Sequence, residues 1–374
     1  MFSRIPEDSK PVVFIGNRDS NWGNLAAWNP IDSISLSIED SPETIIQFVK
    51  EYSGKFIAGF LVYEYGAKRL DVPVYPLMAG FPAIHFRAYE SFQTFSEFDI
   101  VNTSKWLSFT PTITKENYCL NFDRIIDYIK QGEFYQLNYT YPMVSSTELS
   151  PRVLFQCLRA KNNVGYSAYI EDDNWVIHSL SPEQFISIQD RMISTKPIKG
   201  TIARNHVSKL DEKNLNLLLA SQKDQAELYM IIDLLRNDLG KVCEYGSVQV
   251  KESKSVQKLE KVFHTYGRIN GKLKHNIHPV EALISMLPSG SISGCPKKRV
   301  CEAIYELENS ARGIYTGNIG YILPDGTLQF NIAIRTVFQQ KNDLLLGVGG
   351  GITIGSLMED EFSESIAKAA SFQP

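Results

Sequence analysis

The chain has 374 residues, 43% hydrophobic and 21% charged, with a formal net charge of -4. Those proportions suit a globular protein with a sizeable core, and the mild acidity excludes a nucleic-acid binder built on surplus lysine and arginine. No uninterrupted apolar run reaches bilayer length, and the N-terminus, MFSRIPEDSKPVVF, has acids and a proline where a signal peptide needs its apolar stretch, so the expected location is the cytoplasm.

Residues 1 to 110 are rich in turn formers and aromatics and predict one clear strand, over 56–65. Residues 104–114 read as a connection into a different regime. From Lys115 the pattern is helical: Phe122, Ile125, Ile126 and Ile129 recur at i, i+3, i+4, i+7, and Gly132 ends the run. Two strand pairs follow, 167–170 with 175–179 and 184–188 with 192–195. Leucines and isoleucines from Leu215 to Leu235 predict a single long helix over 214–242. Another helix begins at Pro296, a residue suited to a first helical turn. Strands are predicted over 320–323, 327–338 and 344–348, the first two joined by Pro324-Asp325-Gly326, and a short helix carrying Glu361, Glu364 and Lys368 closes the chain. Hairpins outnumber strand–helix–strand units, so the fold class is α+β rather than doubly wound.

Cys119, Cys157, Cys243, Cys295 and Cys301 form no CxxC pair, and with the six histidines they never cluster at zinc-ligand spacing; they read as reduced thiols. Three other features could carry chemistry. Lys199-Gly200-Thr201 offers an amine beside a backbone N–H and a hydroxyl, which suits a carboxylate ligand, although an exposed lysine in a polar turn has the same signature. Asp224 with Glu227, and Glu361 with Glu364, are i, i+3 acidic pairs on helices. Converging, they could hold Mg²⁺; apart, they are ordinary solvated faces. The run Gly347-Val-Gly-Gly-Gly351 fits neither dinucleotide nor P-loop spacing, but permits close backbone approach to an anion.

Taken together, GEFYQLNYT (132–140), SPEQF (181–185), PIKGT (197–201), SQKDQAELYMIIDLLRNDLG (221–240), SGSISGCPKKR (289–299), RGIYTGNIGYI (312–322), FNIAIRT (330–336) and GGGITIGSLMEDEFSESIAKA (349–369) resemble the chorismate-utilising enzymes. That family comprises the aminodeoxychorismate, anthranilate, isochorismate and salicylate synthases. The resemblance covers residues 111–374 as a chorismate-binding catalytic region, with 1–110 a weakly matching N-terminal part of one integrated domain. It implies two large antiparallel β-sheets packed face to face, helices outside, and an active site between the sheets. It also implies Mg²⁺ on Glu227 and Glu364, with Asp224 and Glu361 helping directly or through water. Gly200 and Thr201 would hold the ring carboxylate of chorismate. Tyr321, Arg335 and the backbone of Gly349, Gly350 and Gly351 would hold the enolpyruvyl carboxylate, and Lys368 and His264 would line the site.

Two positions separate the branches. Isochorismate and salicylate synthases carry a lysine where this chain has Gln136, which cannot act as a base. Anthranilate synthases carry PIAGT where this chain has PIKGT, the form of the aminodeoxychorismate branch. The resemblance therefore implies synthesis of 4-amino-4-deoxychorismate, the precursor of 4-aminobenzoate and folate. Lys199 would be the covalent nucleophile and Glu183 the general acid; burial beside a divalent cation would favour a neutral, nucleophilic amine. No G-x-C-x-G elbow is present, so ammonia would come from a separate glutamine amidotransferase subunit. The alternatives are an anthranilate synthase component and a non-catalytic chorismate-binding partner. The chain departs from the family pattern at His264-Thr-Tyr-Gly267, Ser293 and Gly355, and the N-terminal tryptophan-binding signature of many relatives is not evident.

Overall fold

The computed structural model describes residues 1–18, 20–101, 107–370 and 372. Part of the expected connection at 104–114, residues 104–106, lies outside the described residues. Two ten-stranded antiparallel sheets form the molecule. Along its main path the first runs Gly294–Cys295, Gln136–Ser146, Asp343–Thr353, Thr336–Gln340, Val176–Ser181, Tyr166–Glu171, Val12–Ile15, Leu25–Ala27 and Gln93–Thr94. The second runs Ile198–Ala203, Val262–Lys272, Met192–Lys196, Gln184–Gln189, Leu328–Ile332, Asn318–Ile322, Phe56–Leu61, Ile84–Tyr89 and Asp32–Leu36. Strands from the first 110 residues stand in both sheets, paired with strands from the rest of the chain.

The sheets pack through side chains that alternate inward along each strand. Phe14 of the first sheet meets Phe56 and Tyr321 of the second at ring separations of 6.3 and 4.9 Å, and Phe60 meets Trp175 at 5.4 Å. Helices cover the outer faces. Lys115–Lys130 starts where the Thr114 hydroxyl accepts the Asn117 N–H, and it buries Tyr118, Phe122 and Ile125. Among the described residues no helix is long and apolar enough to cross a membrane.

Three expected elements are divided. The strand over 56–65 stops at Leu61, and Tyr63–Lys68 turns into a helix whose buried Glu64 accepts the N–H groups of Arg312 and Gly313. The long helix over 214–242 is two helices, Ser208–Ala220 and Gln222–Val242. Ser221 leaves the helical conformation at ψ 107° and its hydroxyl accepts the Asp224 N–H, starting a new helix. The strand over 327–338 breaks into Leu328–Ile332 in the second sheet and Thr336–Gln340 in the first, and the crossing places Arg335 at φ 49°. In the other direction, Asp343–Thr353 continues as one strand through the glycine run.

Candidate active site

One cavity of about 600 Å³ gathers residues from both sheets and from the helices Gln222–Val242 and Met358–Ala370. Every expected site residue lines it except Tyr321.

Lys199 and Thr201 flank a bulge in Ile198–Ala203, where the pairing with Val262–Lys272 shifts between Lys199 and Thr201. Gly200 occupies the bulge at φ 77°, and a Cβ there would come within 3.0 Å of the Asp224 carboxyl carbon and the Thr265 hydroxyl. A glycine is therefore required by conformation and by space. The bulge turns the Lys199 amine toward the helix bearing the first acidic pair, 3.8 Å from Glu227, and 3.5 Å from the Ser291 carbonyl oxygen.

Glu183 precedes Gln184–Gln189 and is only 5% exposed. Its backbone is fastened by the Ser181 hydroxyl and the Ile332 N–H, while Oε1 of its carboxyl has no hydrogen-bond partner among the described residues. Burial raises its pKa to about 7, against the opposing pull of Lys199 and of hydrogen bonds from Ser291 and the Ile198 backbone. A carboxyl so placed holds its proton near neutrality and can donate it.

Each of three acidic side chains is paired with a lysine. Lys199 faces Glu227, Lys223 bonds Glu361 at 3.0 Å, and Lys368 bonds Glu364 at 2.9 Å. Burial raises the pKa of Glu227 although Lys199 and Lys223 oppose the rise. At Glu364 partial burial pushes up, but Lys368, Lys223 and Lys199 together outweigh it and the net direction is down. Lys368 also donates to the Gly349 carbonyl at 2.6 Å, tying the last helix to the glycine run. Gly349, Gly350 and Gly351 pair with Thr140, Tyr139 and Asn138, so their backbone forms one wall of the cavity. A Cβ on Gly350 would stand 3.2 Å from Glu361 Oε2.

Four carboxylates lining one cavity are the oxygen donors a hard divalent cation takes, so the donor chemistry fits magnesium. Among the described residues, however, no three acidic, histidine or cysteine side chains already form a metal-binding cluster.

Arg335 also lines the cavity, and among the described residues its guanidinium has no carboxylate partner. Burial pushes its pKa below the ordinary arginine value. Arg335 and the neighbouring Thr316, at φ 49° and 63°, both hold the left-handed conformation that non-glycine residues avoid, and both line the cavity. A half-buried cation held in a strained backbone, with no carboxylate partner among the described residues, is suited to an anionic ligand.

Tyr321 is the correction. It is 1% exposed, packs against Phe14, Trp22 and Phe56, and its hydroxyl accepts the Gly23 N–H at 2.8 Å. Its strand, Asn318–Ile322, lies two positions along the second sheet from Gln184–Gln189, which Glu183 precedes, and its ring fills the aromatic core. The tyrosine that reaches the cavity is Tyr315, six residues earlier in the same RGIYTGNIGYI stretch. Sequence reasoning also missed Lys223 and Ser291. Lys223 had a signal: a lysine in the first turn of a helix opposes the helix dipole. Gln136, fully buried, donates weakly to Glu227 at 3.4 Å from behind the cavity wall.

Residues 98–374 match a protein family described as chorismate binding enzyme. The chain is 35% identical over 266 residues to aminodeoxychorismate synthase component 1 of Bacillus subtilis, covering 71% of this chain and 57% of that protein. It is 34% identical over 263 residues to anthranilate synthase component 1 of Acetivibrio thermocellus, covering 70% and 53%. The chain thus spans a little over half the length of these curated relatives. Its fold is that of the crystal structure of anthranilate synthase component I from Streptococcus pneumoniae TIGR4, with a TM-score of 0.80 at 23% identity over 99% of this chain and 96% of that one.

Proposed function

The chain belongs to the chorismate-binding enzyme family, and from that premise we propose that it converts chorismate and ammonia to 4-amino-4-deoxychorismate, supplying 4-aminobenzoate for folate synthesis. The observation that carries the reading is Lys199 facing the same cavity as a buried Glu183 with a pKa raised to about 7. A direct attack by ammonia needs no lysine there.

In the proposed sequence the Lys199 amine forms a bond to C2 of the chorismate ring, the ring double bond shifts, and the C4–O bond breaks. Glu183 gives its proton to the departing hydroxyl, which leaves as water. Ammonia then bonds to C4, the double bond shifts back, and the C2–N bond to Lys199 breaks. Arg335 and the Gly349–Gly351 backbone hold the enolpyruvyl carboxylate, while Gly200 and Thr201 receive the ring carboxylate. Magnesium, held by Glu227 and Glu364 with Asp224 and Glu361 beside them, would supply positive charge for that carboxylate. The ammonia source is a separate glutamine amidotransferase subunit, and the cytoplasm is the proposed location.

The second reading is anthranilate synthesis, favoured by the comparable identity to the Acetivibrio thermocellus relative. Product analysis by mass spectrometry after incubation with chorismate, ammonium and Mg²⁺ separates the two. The proposal expects an amino-deoxychorismate without pyruvate release; anthranilate with equimolar pyruvate overturns it.

A further inference from the structure

The cavity is neutral in charge before any ligand enters. Asp224, Glu227, Glu361 and Glu364 line it together with Lys199, Lys223, Lys368 and Arg335, and the fifth carboxyl, Glu183, holds its proton near neutrality. Among these, Lys223 breaks a local rule. It is the second residue of the helix Gln222–Val242, where the dipole's positive end favours acids. A residue that contradicts local preference points to a compensating role.

That role follows from its partner. Glu361 is the most enclosed carboxylate of the four, 4% exposed, and its Oε1 is held twice, by Lys223 at 3.0 Å and by the Ser356 hydroxyl at 2.6 Å. An anion so buried needs a counter-charge. The Lys223 side chain is 48% exposed, so it can swing into water without opening the core. The other two lysines are less free to leave. Lys368 is also bonded to the Gly349 carbonyl, and its partner Glu364 is 61% exposed and needs little neutralising. Lys199 sits 14% exposed at a looser 3.8 Å from Glu227.

We propose that Lys223 is a built-in stand-in for the divalent cation: it neutralises Glu361 while the metal is absent and must be displaced when the metal binds, so that it sets the metal affinity of the site. The proposal rests on the magnesium site set out above. A positive side chain within bonding distance of a prospective ligand both occupies that ligand and repels an incoming dication. Removing it frees Glu361 for the ion. It also leaves Glu361 a buried uncompensated anion in the metal-free protein.

The test measures Mn²⁺ binding to the whole protein, without substrate, by loss of the free-ion electron paramagnetic resonance signal, with Mg²⁺ as competitor. Lys223→Met should bind Mn²⁺ about tenfold more tightly than wild type, a 1.4 kcal/mol gain. Lys223→Arg, which keeps the charge, should stay close to wild type. Lys115→Met, which removes an exposed lysine paired with Glu359 on the same closing helix, serves as the off-site control and should change nothing. Metal-free Lys223→Met should melt below wild type and recover when Mn²⁺ saturates it. A lysine with a merely structural role would lower the melting temperature without tightening ion binding. Equal or weaker Mn²⁺ binding by Lys223→Met overturns the proposal. If neither wild type nor any variant binds Mn²⁺, the magnesium reading falls and takes the proposal with it.

Discussion

The Thr201 hydroxyl and His264 Nδ1 lie 2.6 Å apart beside the Gly200 bulge. Burial lowers the His264 pKa to about 4, helped by the positive charges of Arg335 and Lys196 and opposed by a hydrogen bond with the Gly200 backbone. The ring is therefore neutral throughout the physiological range, and it lines the cavity beside the Thr201 hydroxyl.

His85 and His178 are likewise buried and lowered to about 4, chiefly by desolvation, while burial raises Glu64 and Glu183 to about 7. The signs oppose. A histidine lowered in the fold makes stability fall as pH drops through about 6.5 toward 4, because only the unfolded chain takes the proton. A glutamate raised in the fold makes stability fall as pH climbs from about 4.5 through 7, because only the folded chain retains it. Three histidines outweigh two glutamates below about 6.5, and above it the glutamates act alone, so these groups place maximum stability near pH 6.5. Thermal melts from pH 4.5 to 8.5 check the dome, and Glu64→Gln should flatten its alkaline side. A melting temperature still climbing at pH 8 would contradict this assignment.

Catalysis should show a steeper alkaline loss of its own. If Glu183 is the acid, the rate must decline above about pH 7 as that carboxyl gives up its proton. Glu183→Gln should reduce turnover by roughly 10²–10⁴-fold and abolish that limb, leaving chorismate affinity near wild type. A variant that keeps the alkaline limb would assign it to another group.

Tyr321→Phe separates core from site. The hydroxyl of Tyr321 serves the Gly23 N–H and does not face the cavity, so its loss should cost about 1 kcal/mol of stability and leave chorismate affinity untouched. Tyr315→Phe is the contrasting variant, because that ring lines the cavity. Weakened chorismate binding in Tyr321→Phe, with an unchanged melting curve, would return Tyr321 to the site.

Much of this arrangement is legible before folding, and the illegible part has a physical cause. PIKGT, SPEQF and the two acidic pairs are short strings, and each delivers its chemistry-bearing residues to the cavity: Lys199, Gly200 and Thr201 from the first, Glu183 from the second, and four carboxylates from the pairs. What local pattern does not contain is the sheet crossing at Arg335. Residues 327–338 alternate well enough to read as one strand, and only the pairing of Leu328–Ile332 with the second sheet and of Thr336–Gln340 with the first creates the break. Tyr315 and Tyr321 show the same limit. Both are tyrosines in one glycine-punctuated stretch, and which of them turns toward the cavity depends on a neighbour, Trp22, nearly three hundred positions away. Lys223 was visible as an anomaly of helix chemistry, but its partner Glu361 is on another helix 138 positions along the chain.

Lys199 offers the most direct test of chemistry. Its amine is 3.8 Å from Glu227 and 3.5 Å from the Ser291 carbonyl oxygen, contacts that hold it at the cavity wall without enclosing it among strong hydrogen bonds. An amine so held remains free to bond carbon. With chorismate and Mg²⁺ but no ammonia, the covalent intermediate has nothing to release it, so it should accumulate on the protein as an adduct lighter than chorismate by one water. Peptide mapping should place that adduct on Lys199. Glu183→Gln should suppress it, because hydroxide leaves poorly when no acid assists. Lys199→Ala should lose it while still binding chorismate, and its residual turnover with ammonia measures what the covalent route contributes. Should intact-protein spectra show no adduct, and Lys199→Ala turn over like wild type, amination would proceed by direct attack of ammonia and Lys199 would serve only as the counter-charge of Glu227.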